Sequence, residues 1–232
     1  MNIAIIPARS GSKRIRLKNI KFFCGKPIIY WTIKELKKSR IFDYILTSSD
    51  SNKILKIAKK YGSDLLNKRS KSLSRDHVST IKVIKSEIIN LQKKLKIKNF
   101  NVCCVYPCNP LLIRSDLKNA IKKLKKNNSK FIVSISEAKK MEKTFSLAKN
   151  NKIILASYNL KKINKNSNNM RKLYYENGQF CFANTKIWLK NNSIYNQAVG
   201  YEVPTWRSTD IDEINDWKKA EIIFNLLKKN EK

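Results

Sequence analysis

The chain has 232 residues, of which 42% are hydrophobic and 29% charged; that is enough for one α/β domain with a real core, and too apolar for wholesale disorder. No run of 18 apolar residues occurs, which excludes a helical membrane span. The 50 Lys and Arg against 17 Asp and Glu give a formal net charge of +33, but the lysines spread along the whole chain without clustered Arg or aromatic platforms, so compositional drift is favoured over a sequence-reading nucleic-acid module.

In chain order, the apolar run Ile3–Ile6 predicts a buried strand, stopped by Pro7. Arg9, Ser10, Gly11, Ser12 and Lys13 follow, then Arg14, Arg16, Lys18 and Asn19. Small residues, hydroxyls and cations after a first strand suit a phosphate site, with Gly11 expected to carry the tight bend. The spacing is neither a Walker A loop nor G-x-G-x-x-G, and the plain alternative is a basic surface loop. Ile29, Ile33 and Leu36 predict a helix over 26–39, and Tyr44–Thr47 a strand ending in Ser48-Ser49-Asp50. A helix over Asn52–Tyr61 closes at Gly62, and a longer one is expected over Asp76–Leu95. Then come a strand at Val102–Tyr106, a helix at Leu117–Leu124 and a strand at Phe131–Ile135. Residues 139–176, rich in Asn and Lys, read as an insertion within one domain spanning 1–232. Gln179–Ala183 resumes a strand, Thr185–Leu189 a short helix, Glu202–Val203 a last strand and Ile214–Leu227 an amphipathic helix. This alternation implies an α/β fold with a largely parallel sheet covered by helices on both faces.

Ligands of open α/β sheets gather beyond the carboxyl ends of the strands. Polar segments expected there are the basic loop, the stretch from Arg69 to Thr80, Tyr106–Leu111, Glu176–Phe180, and Asp210-Ile211-Asp212. In an extended D-x-D the two acids share a face and suit one hard cation such as Mg²⁺. The competing role is helix capping before residue 214, worth about 0.5–2 kcal/mol. His77, the single histidine, suits a solvated or capping role better than a general base. The five cysteines lack zinc-ribbon spacing; with Met1 leading directly into a strand, a reduced cytoplasmic location is expected.

The string PARSGSKRIRLKN resembles the signature of the CMP-acylneuraminate synthetase family, sugar-activating cytidylyltransferases, with Ser10 where that family usually has Gly. CGKPIIYWTI, SSDS, Arg69-x-x-x-Leu73-x-x-Asp76, YPCNPLLIRSDL and STDIDEINDWKKAE resemble further family segments in the same order, over nearly the whole chain. Tyr106 in place of Gln, the NPLLI that follows and YYENGQFCF are similar to the branch acting on pseudaminic acid, although Asn177 and Cys181 depart from it. The resemblance implies a Rossmann-like nucleotidyltransferase domain with a mixed, mostly parallel sheet. It implies CMP transfer from CTP to the anomeric hydroxyl of a nine-carbon sugar acid, with Mg²⁺ as cofactor and pyrophosphate released. It also implies a homodimer to which 139–176 contributes a dimerisation or substrate-covering segment.

Carried over by resemblance, Arg9, Ser12 and Lys13 hold the triphosphate, and Lys18 and Asn19 complete its pocket. Arg69 and Thr80 lie near the base and ribose, Asp210 and Asp212 take Mg²⁺, and Tyr106, Gln179 and Phe180 line the sugar side. Arg9, Lys13, Asp210 and Asp212 form the catalytic set. Arg14 and Arg16 fall off the family's phosphate contacts and are expected to matter less. N-acetylneuraminate and legionaminate are alternative acceptors. A UTP- or GTP-using sugar-phosphate nucleotidyltransferase and a polyanion-binding protein are the other classes, separated by cytidine-specific pyrophosphate release and by salt-sensitive duplex binding.

Overall fold

The computed structural model describes residues 1–127, 130–138, 172–196 and 198–229, with the short strands at 145–147 and 153–155. Strand β1 (Asn2–Pro7) is followed by a two-residue-arm hairpin, β2 (Phe22–Phe23) and β3 (Lys26–Pro27), and then by α1 (Ile28–Ser39). Next come β4 (Tyr44–Ser49), α2 (Asn52–Lys60), β5 (Leu65–Lys68), α3 (Thr80–Leu95), β6 (Asn101–Val105), α4 (Arg114–Lys126) and β7 (Phe131–Glu137). The chain continues through β8 (Phe145–Leu147), β9 (Ile153–Leu155), β10 (Tyr174–Asn184), α5 (Thr185–Lys190), β11 (Ala198–Glu202) and α6 (Ile214–Lys229).

The main sheet has seven strands in the order β11-β7-β10-β6-β1-β4-β5. β1 pairs parallel with β4 and β6, β4 with β5 and β11 with β7, whereas β10 runs antiparallel to both β6 and β7. The largely parallel α/β sheet expected from the alternation is therefore present, and β10 makes it mixed, as the family resemblance implies. β1 shows why both faces need helices. Ala4 and Ile6 join one core cluster with Ile29, Ile33 and Leu36 of α1, while Ile3 and Ile5 join another with Ile84 and Ile88 of α3. Period-two alternation thus buries a strand that is apolar throughout. A third cluster packs Trp217 and Phe224 of α6 edge-on against Phe23, each at 5.4 Å between ring centroids. This anchors the C-terminal helix, and the acids ahead of it, beside the loop that follows β1.

Several boundaries differ from expectation. α3 begins at Thr80 rather than Asp76, so Asp76 and His77 lie in the preceding loop. Lys26–Pro27 belongs to the hairpin, not to α1. The last strand covers Ala198–Glu202, with Val203 just past it. The expected role of 139–176 as a partner-reaching insertion falls almost wholly outside the described residues; within it β8 and β9 pair antiparallel, and Tyr174–Glu176 open β10. The five cysteines are free thiols, and Cys103, Cys104 and Cys181 are buried in the sheet. Among the described residues no helix is long and apolar enough to cross a membrane.

Candidate active site

Chain order reverses at β1: β4 and β5 lie to one side, and β6 to the other. The segments leaving β1 and β6 diverge at their carboxyl ends and open a crevice, as in other doubly wound sheets. The cavity there has a volume of about 710 Å³. Arg9, Ser12, Lys13, Lys18, Asn19, Arg69, Thr80, Tyr106, Asp210 and Asp212 all line it.

The loop after β1 is held from below. Ser10 donates its amide to Asp50 Oδ1 at 2.8 Å and its hydroxyl to Asp50 Oδ2 at 2.6 Å. Burial, the largest single influence, raises the Asp50 carboxyl, but the two Ser10 bonds, a further backbone bond and the Arg69 charge together leave it below the ordinary value. Neither Ser10 nor Gly11 adopts a positive φ, and a Cβ on Gly11 would meet nothing within 4 Å. Ser10 therefore fits the turn without strain, and Gly11 does not carry a left-handed bend. The buried Asn19 amide donates to the Arg9 carbonyl at 2.7 Å and fixes the loop's far end. Arg69, 5% exposed, is threaded under the loop: its backbone amide bonds Ser49 O at 2.8 Å and its Nε bonds Ser74 Oγ at 3.1 Å. Burial lowers the Arg69 pKa, against the pull of Asp50 and Glu87.

Two exposed cations stand above this base. Arg9 Nη1 lies 2.5 Å, and Lys13 Nζ 2.6 Å, from opposite oxygens of Asp76. The hydrogen bond and charge of Lys13, then Arg9, hold the Asp76 carboxyl below its ordinary value. These pairs are solvent-exposed and individually weak, so an incoming anion can displace Asp76. His77 is exposed and does not line the cleft.

The acids close the opposite side. Asp216 at the start of α6 accepts the backbone amides of Asp212 at 3.0 Å and Glu213 at 2.9 Å. The reach-back capping role is thus taken by Asp216, which frees the Asp212 side chain. That carboxylate pairs with Arg14 at 2.7 Å and Lys18 at 3.3 Å, and Lys18 also donates to the Ile211 carbonyl at 2.5 Å. Arg14, expected to stand apart from the contacts, lines the cleft, whereas Arg16 does not. Asp210 opens to the cleft, yet the protein packed around it raises its pKa, first through desolvation and then through the charge of Asp212. Among the described residues no group of three or more His, Cys, Asp or Glu forms a metal cage. Two carboxylates fit Mg²⁺, which is bound by one or two acids with substrate phosphates and waters, and a cation there would relieve the repulsion that Asp210 records.

The remaining wall comes from β6 and β10. The Tyr106 hydroxyl donates to Glu176 Oε1 at 3.3 Å, and the Tyr195 hydroxyl donates to Glu176 Oε2. Burial pushes the Tyr106 phenol well up, and the Glu176 bond raises Tyr195 to about 12. A register shift between Glu176 and Cys181 makes a bulge in which Asn177 donates to Ser136 Oγ at 3.0 Å and Gly178 takes φ +66°. Gln179 and Phe180, expected on the sugar side, lie behind this wall. Gln179 is buried, with Nε2 on the Arg207 carbonyl at 2.9 Å and Oε1 unpaired; Phe180 is 1% exposed and packs in the core against Phe182 and Tyr201. Arg207 in turn holds Asp116 of α4 through a buried pair at 2.6 Å, which ties the segment leading to Asp210 to the body of the domain. The sequence alone gives no binding role to Asp50, Glu176 or Tyr195, and places Asp76 only at a helix start and in a family motif.

A cytidylyltransferase family model matches residues 3–230. The chain is 36% identical over 227 residues to the pseudaminic acid cytidylyltransferase of Campylobacter jejuni subsp. jejuni serotype O:2, covering 97% of each. It is 26% identical to the CMP-N,N'-diacetyllegionaminic acid synthase of Legionella pneumophila, covering 97% of this chain and 96% of that one. A solved CMP:2-keto-3-deoxy-manno-octonic acid synthetase, complexed with CTP, shares the fold at TM-score 0.69 and 12% identity, covering 97% of this chain and 99% of that one.

Proposed function

The chain belongs to the cytidylyltransferase family, and we propose that it joins CMP from CTP to the anomeric hydroxyl of a nine-carbon 2-keto sugar acid, with pseudaminic acid the favoured acceptor. The observation that carries this reading is the single cleft that brings the basic loop, the Asp210–Asp212 pair and the Tyr106–Glu176 wall together. The acceptor oxygen forms a bond to the α-phosphorus as the bond to the pyrophosphate oxygen breaks, and the hydroxyl proton passes to solvent. Both reactants are anions, so the first task is to screen their approach.

Arg9, Lys13 and Lys18, with the Ser12 hydroxyl, hold the triphosphate and stabilise charge that grows on its leaving oxygens. Asn19 keeps the loop in place through the Arg9 carbonyl. Arg69 and Thr80 face the base and ribose, and Tyr106 faces the acceptor. Asp210 and Asp212 would hold Mg²⁺, which neutralises phosphate charge when bound. Catalysis is then mainly positioning and electrostatics. Gln179 and Phe180 support the acceptor wall rather than touch the sugar. A homodimer in the reduced cytoplasm completes the proposal.

Incubation with CTP, Mg²⁺ and a panel of nonulosonic acids, with product mass as the readout, tests it. CMP-pseudaminic acid is expected, with kcat/KM above that for legionaminic and N-acetylneuraminic acids. A higher kcat/KM for either competitor overturns the acceptor assignment, and UTP or GTP use overturns the nucleotide. Salt-sensitive duplex binding without turnover would favour a polyanion-binding protein.

A further inference from the structure

We propose that Glu176 is the residue that reads the acceptor, by accepting an amide N–H of the sugar's acylamino group; this inference rests on the cytidylyltransferase reading above. Glu176 sits half-buried at the edge of the β10 bulge and lines the cleft. Its two oxygens receive the hydroxyls of Tyr106 and Tyr195, and among the described residues no salt bridge engages them. An ionised carboxylate offers about four acceptor positions, so two phenols fix its orientation and leave capacity facing the cavity. The other cleft acids have different neighbours: Asp76 and Asp212 are each paired with two cations, and Asp210 stands against Asp212 on the opposite side.

A fixed, acceptor-only group selects a donor-only partner. An amide N–H is such a partner, whereas a sugar hydroxyl both donates and accepts and is served as well by other groups. The same negative charge repels the acceptor's own carboxylate and turns it toward the cationic side near Lys18. Glu176 thereby sets both which sugar binds and which way round it lies. When the donor is missing, the carboxylate is left short of a partner in a partly desolvated site, and this is where specificity ratios become large.

Wild-type protein, Glu176→Ala and Glu176→Gln are assayed at saturating CTP with an N-acylated nonulosonic acid and with the analogue bearing hydroxyls in place of its acylamino groups. Glu176→Ala is expected to lose about tenfold or more in kcat/KM on the N-acylated acid, and less than about threefold on the hydroxyl analogue. Glu176→Gln, keeping one weaker acceptor, falls between, and KM for CTP stays within about twofold. Tyr195→Phe, which alters a 64%-exposed ring and so leaves folding intact, should lower the same preference more mildly. Equal losses on both acceptors, or a matching rise in KM for CTP, overturn the inference as a merely structural effect. Wild-type turnover with unchanged preference in the variants overturns it alone. Wild-type inactivity toward every nonulosonic acid overturns the reading beneath it, and the inference with it.

Discussion

Gly178 lies against Asp210: a Cβ on Gly178 would stand 3.4 Å from the Asp210 carboxyl carbon, and Gly178 holds φ +66°. The bulge in β10 therefore forms the seat of one of the two metal-suited acids. Gly178→Ala fits in space but not in backbone conformation, which costs about 1–2 kcal/mol in the left-handed region. In a chain of 232 residues each kcal/mol corresponds to about 2–4 °C in Tm. The expected outcome is a Tm lower by a few degrees, measured by thermal melting, with a larger proportional loss of turnover because relaxing the strained φ shifts the bulge that seats Asp210. Unchanged turnover at the lowered Tm would separate the bulge from the site.

The charge on Asp210 opposes folding. Its folded-state pKa is raised above the ordinary carboxylate value by desolvation and then by Asp212. For a raised carboxyl the favourable contribution is complete below the unfolded pKa and disappears as pH rises through the folded one. At neutral pH the ionised group is a net cost to the ligand-free protein. Asp210→Asn should therefore melt at or above the wild-type temperature at neutral pH, and the gain should vanish on acidification below about pH 4. Its turnover with Mg²⁺ should fall by about a hundredfold or more, since a hard anionic ligand is lost. A melting curve against pH and a rate against Mg²⁺ concentration check the two parts, and near wild-type rates at limiting Mg²⁺ would remove Asp210 from metal binding.

The sheet was legible because β1, β4, β6 and β7 are apolar runs separated by helical spacing, and the loop after β1 because its cations and small residues are contiguous. β5 escapes the sequence pattern because three of its four residues are only partly buried, the fourth is exposed, and they carry no apolar alternation. The tolerance of Ser10 depends on Asp50, 40 residues away, which no local pattern reveals. Asp76 resembled a helix start because an acid shortly before an apolar-periodic segment ordinarily is one; Ser79 takes the position before α3, and Asp76 is drawn to Lys13 instead. The motif points Gln179 and Phe180 into the cleft, but the bulge between Glu176 and Cys181 resets which side chains face it. Glu176 was visible only as a polar residue in that motif; its two phenol partners come from residues 70 positions before and 19 after.

The loop cations separate by position. Arg9→Ala and Lys13→Ala each remove a charge-assisted contact to the triphosphate, a loss of about 1.5–3 kcal/mol or roughly 10- to 150-fold in kcat/KM for CTP. Arg16, exposed and off the cleft, should change kcat/KM by less than about twofold when replaced by Ala. Arg14 should fall between them, because its partner is Asp212. Pyrophosphate release under varied CTP measures all four. Equal losses across the set would mean that a diffuse basic field, rather than this loop, binds the nucleotide.

Asp76 occupies the cations that the triphosphate needs. Arg9 and Lys13 both hold its carboxylate while remaining 42% and 81% exposed, and CTP must replace it with phosphate oxygens. Asp76→Asn removes the competing charge and leaves a neutral group of the same size. It should tighten CTP binding a few-fold, no more, because exposed ion pairs are weak. Raising the salt concentration should shrink the difference. The pH dependence follows from Lys13 and Arg9 lowering the Asp76 pKa below 3.8. The ion pairs are intact above the ordinary carboxylate pKa and are lost only as pH falls through the lowered one. The gain should therefore be flat across the neutral range. Calorimetric titration of CTP into the wild type and Asp76→Asn measures it directly, and weaker binding by the variant would mean that Asp76 orients Arg9 and Lys13 for the nucleotide instead of competing with it.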